Sequence, residues 1–172
     1  YKNGISKIYD CNKYESLFGV DIKTYLFNHL AEFIDNSANI IFMNDATCFI
    51  SGEACRNDLT TSNITAITLG TGIGSGFMSN GEIVIEGENI PSRGDVYNLS
   101  FKNKRAEDWL GTEWFLNTYR NTFNDEVENV KTIADKAKTS KEAKQIFENF
   151  GTNLGDFLSP ILTNFKTEHL VI

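Results

Sequence analysis

The chain has 172 residues, a hydrophobic fraction of 41%, a formal net charge of −7 and a pI near 4.8. That length supports one ordinary domain or parts of two, with a real core. The acidic balance argues against non-specific nucleic-acid binding and against docking on an anionic membrane. No run approaches the ~20 apolar residues of a membrane span, and no charged-then-apolar start suggests a secretory leader.

In chain order, residues 4–9 read as a strand entered partway. Residues 21–34 read as an amphipathic helix with Asp21 as its N-cap, because Ile22, Tyr25, Leu26, Leu30, Phe33 and Ile34 recur at helical spacing. His29 lies among them without a second metal-type residue at i+4, so it reads as a surface helix residue. Residues 40–43 form a short continuous apolar run, the pattern of a buried strand. Asn44 and Asp45 close it, and residues 46–56 read as a helix with Phe49, Ile50 and Ala54 on one side. A carboxylate at the carboxyl end of a buried strand opens onto the crevice where α/β proteins place ligands. Asp45 would also serve as a helix N-cap, and the two roles are compatible. Cys11, Cys48 and Cys55 are odd in number and lack C-x-x-C spacing. They read as reduced thiols of a cytoplasmic protein, with Cys48 and Cys55 packed in the core or on a helix face.

Residues 64–81 carry the most information. A β-branched strand ends at Leu69, and Gly70, Gly72, Gly74 and Gly76 then fall at every second position. So little side chain lets a backbone curl and present N–H groups to an anion, a suitable cradle for a polyphosphate. Thr71 and Ser75 add hydroxyls. The spacing is neither a P-loop nor a dinucleotide fingerprint, since both of those run from strand into helix. A plain glycine-rich hairpin would use the same residues. Asn80-Gly81 reads as a tight hairpin turn into a strand over residues 82–85.

Residues 86–105 have no clean period, and a long irregular stretch is often functional. Residues 106–123 read as one helix whose Trp109 and Trp114 belong to a core or interface. Residues 125–138 read as a surface helix. Residues 141–165 give the clearest helical pattern. There Gly151 and Gly155 suggest close approach of another backbone, and Pro160 suggests a bend or a restart. Residues 169–172 look like a strand that stops as it begins.

The order Asn44-Asp45-Ala46, a helix ending near Gly52-Glu53, then Leu-Gly-Thr-Gly-Ile-Gly-x-Gly over residues 69–76 and the Asn80-Gly81 hairpin resembles the ROK family. That family comprises bacterial sugar kinases and sugar-responsive repressors. The match is specific over residues 39–87 and looser over 105–172. It implies an α/β chain of the ribonuclease-H-like, actin-like ATPase fold, incomplete at both ends and so the middle of a longer protein. Residues 1–58 would be the remainder of a smaller N-terminal domain, and 59–172 part of a larger one. It further implies ATP-dependent phosphorylation of a small-molecule sugar with ATP and Mg²⁺, a homo-oligomer, and little activity from these 172 residues alone. Asp45 would be the catalytic base. Asn44, Asp45 and Asp95 would bind sugar, and Gly70, Thr71, Gly72, Gly74 and Gly76 would bind the nucleotide. The family's Gly-Glu-Ile-Gly-His element is matched only by residues 94–98, with Asp95 for the Glu and Asn98 where the His would be. Asp95 would equally serve as a turn residue after Gly94. With no cysteine after Cys55, the zinc cluster common in the family is not expected.

Sugar phosphorylation needs the phosphates held, the charge neutralised and the hydroxyl aimed in line. The glycine turn, Mg²⁺ bound with ATP, and Asp45 fill those parts, with Asn44 on a neighbouring hydroxyl. An aspartate is base enough, because the hydroxyl turns acidic only late in a loose transition state. A sugar-responsive regulator or non-catalytic sugar-binding protein of the same fold is the alternative. A third option is another actin-like ATPase acting on amino sugars or acyl groups.

Overall fold

The computed structural model describes residues 4–6, 15–35 and 37–172. The chain divides into two units, residues 1–44 and 45–172. The division falls before the second helix, at 44/45, rather than after residue 58.

In the first unit Asp21 caps helix α1 (Ile22–Leu30). Its carboxylate accepts from the Thr24 amide at 2.9 Å and from Thr24 Oγ1 at 2.8 Å. These two bonds hold the Asp21 carboxyl below the usual carboxylate range. The helix stops at Leu30 and buries none of its residues. Of the strand expected over 4–9, Ile5 forms a single bridge to Asp21, and residues 7–9 lie outside the described residues. Residues 40–43 form no strand, contrary to the sequence pattern. Ile41 is 71% exposed and Met43 53%. A strand exists through the pairing of its backbone groups with a neighbour. No described strand pairs with this run, so its apolar character alone does not make it one.

The second unit is built around a four-stranded sheet in the order β3-β2-β1-β6. Strands β1 (Asn63–Leu69) and β2 (Ile73–Ser79) are antiparallel, with Leu69 opposite Ile73, Thr68 opposite Gly74 and Ala66 opposite Gly76. Asn80 and Gly81 both take positive φ, 49° and 80°, the geometry of a type I′ turn, and lead into β3 (Glu82–Ile83). Strand β6 (His169–Val171) runs parallel to β1 on the other edge.

Both faces of the β1–β2 hairpin are covered, which explains why burial along its strands is continuous rather than alternating. On one face Ile64, Ala66 and Met78 pack on Ile50 and Ala54 of helix α2 (Asp45–Arg56). Burying Ile50 fully contributes roughly 1.5–3 kcal/mol. On the other face Ile67, Ile73 and Phe77 meet Val96, Leu110 and the long helix α6 (Lys141–Phe165) through Phe157, Ile161 and Phe165. Helix α2 buries Ala46, Ile50 and Ala54, spaced four apart, so Cys48 and Cys55 fall on its other side. Both are exposed free thiols, not packed as expected. Cys11 lies outside the described residues.

The helix expected over 106–123 is two helices, α3 (Glu107–Leu110) and α4 (Thr112–Phe123), broken at an extended Gly111. Strands β4 (Ser100–Phe101) and β5 (Lys104–Arg105) precede them as a separate hairpin. Trp109 meets Phe101 edge-on, and Trp114 packs among Phe115 and Phe150, so both indoles serve aromatic clusters. Helix α5 (Val130–Ala137) seals the lower cluster through Ile133. Helix α6 runs unbroken through the exposed Pro160. Gly151 and Gly155 face open space, and no backbone of the described residues approaches them. No helix of the described residues is long and apolar enough to cross a membrane.

Candidate functional site

The glycine motif divides into two parts with different surroundings. Only Gly70, Thr71 and Gly72 form the turn; Gly74 and Gly76 lie inside β2. A Cβ on Gly70 would meet nothing within 4 Å, and one on Gly72 would lie 3.0 Å from Glu107 Oε2. A Cβ on Gly74 would press on Thr68 Oγ1 and lie 3.6 Å from the Cβ of Ala46. On Gly76 it would lie 3.0 Å from the carbonyl oxygen of Ala46 and 3.1 Å from Ile50 Cγ2. None of the four has positive φ. Gly74 and Gly76 are therefore small enough for α2 to approach the sheet, and they lie in a strand rather than in the turn itself.

The turn rests on the start of α4. The Gly70 carbonyl accepts from the Thr112 amide at 3.1 Å and from Thr112 Oγ1 at 2.9 Å. The Thr71 carbonyl accepts from the same amide at 3.3 Å. A trans peptide points its N–H opposite to its C=O, and the described residues have no cis bond. The N–H groups of Thr71 and Gly72 are thus aimed away from α4. The Gly70 N–H is turned back onto the Gly72 carbonyl at 3.0 Å. Gly111 must lack a side chain here, because a Cβ would strike the Thr71 carbonyl and lie 3.2 Å from Gly72 Cα. Only glycine admits that contact at the break between α3 and α4. Beside the turn a cavity of ≈ 360 Å³ is lined by Leu69, Gly70, Thr112, Phe115, Phe147 and Phe150, among others.

Asp45 is the first residue of α2 rather than the last of a strand. Its Oδ1 accepts from the Ala46 amide at 2.9 Å, a bond to the next residue and not the bond to the second or third helical amide that defines an N-cap, so Asp45 lies inside the helix instead of capping it. Ala46 is the residue that Gly74 and Gly76 admit, so Asp45 is carried beside the hairpin. Asn44 is exposed and belongs to the first unit.

Asp95 is held to the opposite face of β2. The buried Ser75 hydroxyl donates to the Gly94 carbonyl at 2.6 Å and accepts from the Val96 amide at 3.2 Å. Gly94 takes φ +72°, a conformation suited to glycine. Partial burial pushes the Asp95 carboxyl above its usual range, and Arg93, whose Nε lies 3.8 Å away, partly offsets this. An acid whose folded pKa is raised adds stability while protonated and loses it as pH rises from the ordinary carboxylate range through the folded value. Asp95→Asn is accordingly expected to melt above wild type near neutral pH. The gap should close near pH ~3, which thermal melts at the two pH values would check. Asn98 is exposed.

Glu107 was not singled out by the sequence pattern, yet it borders the turn at Gly72 and accepts an ion pair from Arg105 at 2.9 Å. Its signal was slight: one carboxylate in a charged run after an irregular stretch. Among the described residues no group of three or more His, Cys, Asp or Glu is placed to hold a metal.

With that geometry in view, the family profile described as "ROK family" matches residues 5–93. No curated protein sequence matches the chain. Among solved structures, a glucokinase from Parabacteroides distasonis is 24% identical, with TM-score 0.72 over 99% of this chain and 52% of its own. A ROK family glucokinase from Streptomyces griseus, solved with glucose and AMPPNP, is 12% identical, with TM-score 0.69 over 90% of this chain and 56% of its own. A ROK family transcriptional regulator homologous to the E. coli MLC protein is 11% identical, with TM-score 0.67 over 89% of this chain and 42% of its own. At these identities the likeness is one of fold, and the chain spans about half the length of these structures. The mixed α/β architecture, the Asn-Asp-Ala helix start and the glycine hairpin agree with the profile, and the chain belongs to the ROK family.

Proposed function

We propose that the protein is an ATP-dependent sugar kinase of the ROK type, on a ribonuclease-H-like, actin-like ATPase fold. The observation that carries this reading is the Gly70–Thr71–Gly72 turn. Its carbonyls are tied to α4 and its Thr71 and Gly72 amides are aimed the other way. Two backbone amides free on one side of an exposed turn suit phosphate oxygens.

In this reading Asp45 takes the proton from the attacking sugar hydroxyl and Asn44 orients a neighbouring hydroxyl, while Asp95 holds further hydroxyls. The described residues offer no carboxylate cage for a metal. Mg²⁺ therefore fits as the companion of the triphosphate, bound mainly through phosphate oxygens and water. Its chemistry is neutralisation of charge on the transferring group.

One observation favours a second reading. Residues 94–98 carry Asp95 and Asn98 where a Glu and a His are expected, and a regulator stands among the structural neighbours. A sugar-responsive regulator would keep the sugar site without turnover. The two readings part in a coupled assay for ADP release by the whole protein with glucose, mannose and their N-acetylamino derivatives. A kinase releases ADP in proportion to one of these sugars. ADP release that no sugar accelerates would overturn the kinase reading, and sugar binding without turnover would establish the regulator.

A further inference from the structure

We infer that Ser75 is a positioning residue for sugar recognition: its single buried hydroxyl fixes the peptide groups on both sides of Asp95. This rests on the reading of Asp95 as a sugar ligand. The Ser75 hydroxyl has one proton to donate and lone pairs to accept with. It uses the proton on the Gly94 carbonyl, at 2.6 Å, and a lone pair on the Val96 amide, at 3.2 Å. Asp95 sits between these two anchors. Its own amide donates to the Ser92 carbonyl at 3.2 Å, and Val96 is wholly buried against the core. The segment has no ladder bonds of its own, so the hydroxyl supplies what a strand partner would otherwise supply.

The position of Ser75 in β2 gives this contact its consequence. Gly74 and Gly76, its two neighbours, face α2 and admit Ala46. Three consecutive residues thus hold both proposed sugar-binding carboxylates of this unit, Asp45 through the glycine face and Asp95 through the serine face. An alanine at 75 would leave the first attachment intact and remove the second. Glycine or alanine would suit the strand equally well; only a residue with a short hydroxyl bridges Gly94 and Val96.

The test separates holding from folding. In the whole protein, Ser75→Ala is expected to speed amide hydrogen exchange at residues 94–96 while β1 amides keep their protection. It should weaken binding of the phosphorylatable sugar at least about tenfold by calorimetry, with AMPPNP affinity kept within about twofold. Ser75→Thr, which keeps the hydroxyl, should restore most of the sugar affinity. In an Asp95→Ala background, Ser75→Ala should add little further loss, because its effect passes through Asp95. Unchanged exchange at 94–96 would overturn the inference, as would equal losses of sugar and nucleotide affinity or additive losses in the double variant. If Ser75→Ala does not fold, Ser75→Thr and Asp95→Ala decide: a threonine variant that keeps the fold yet binds sugar no better than Asp95→Ala counts against it. A wild-type protein that binds neither sugar nor AMPPNP would sink the kinase reading, and the exchange data would still judge Ser75.

Discussion

Gly76→Val is expected to lower the unfolding free energy by about 2–3 kcal/mol, whereas Gly70→Ala should leave it nearly unchanged. The two glycines look equivalent in the sequence, but their surroundings differ. At Gly76 the first added carbon would lie 3.0 Å from a backbone carbonyl of α2 and 3.1 Å from the fully buried Ile50. A helix backbone cannot step aside without dragging Ile50 and Ala54 out of the sheet. At Gly70 the added carbon meets open space and the backbone has no positive φ. Gly74→Val belongs with Gly76, since Thr68 and Ala46 stand where the side chain would go. A loss of nucleotide affinity in Gly74→Val would therefore be confounded by lost stability. Urea denaturation of the three variants gives the ranking. A wild-type midpoint for Gly76→Val would mean that α2 does not rest on β2 there.

Asp45→Asn is expected to cut sugar-dependent turnover by about 10²–10⁴-fold in the whole protein, the usual contribution of a positioned general base. The substitution is chosen because it spares this local bond. Asparagine matches aspartate in size and shape, and its amide oxygen can still accept from the Ala46 amide, now bonded at 2.9 Å. What disappears is a carboxylate able to take a proton. Melting temperature and sugar affinity should therefore stay close to wild type while turnover collapses. Unchanged turnover in a coupled assay would leave Asp45 with a structural role alone. Asp45→Ala is the control, since it removes the bond to the Ala46 amide, and losing one hydrogen bond typically costs about 1 kcal/mol whatever the chemistry.

Local pattern reached far in this chain. The spacing of Ile146, Phe150, Phe157, Ile161 and Phe165 gave α6 its full length, because a single apolar stripe on a long helix has one way to be buried. The Asp21 cap and the Asn80-Gly81 turn were legible because short-range hydrogen bonding and positive φ are written in one or two residues. The family, too, followed from the order of two motifs. Other features depended on partners that sequence spacing does not name. The apolar run at residues 40–43 has the composition of a strand, but pairing decides whether one forms. Gly151 and Gly155 have the spacing of a close contact, yet they face outward because the helix turns its phenylalanines inward.

The site divides in the same way. The sequence by itself determined the chemistry on offer: Asp45 at a helix start, a glycine turn and a carboxylate at 95. The tertiary structure alone decided which atoms face which. It set Gly74 and Gly76 under α2, tied the Gly70 and Thr71 carbonyls to Thr112, brought Glu107 to Gly72 and bound Ser75 across Asp95. The physical reason is separation along the chain. A hairpin turn is fixed by its own φ and ψ angles, whereas the approach of residue 112 to residue 70 is set by how α4 and α6 pack their shared aromatic core, which no local pattern records.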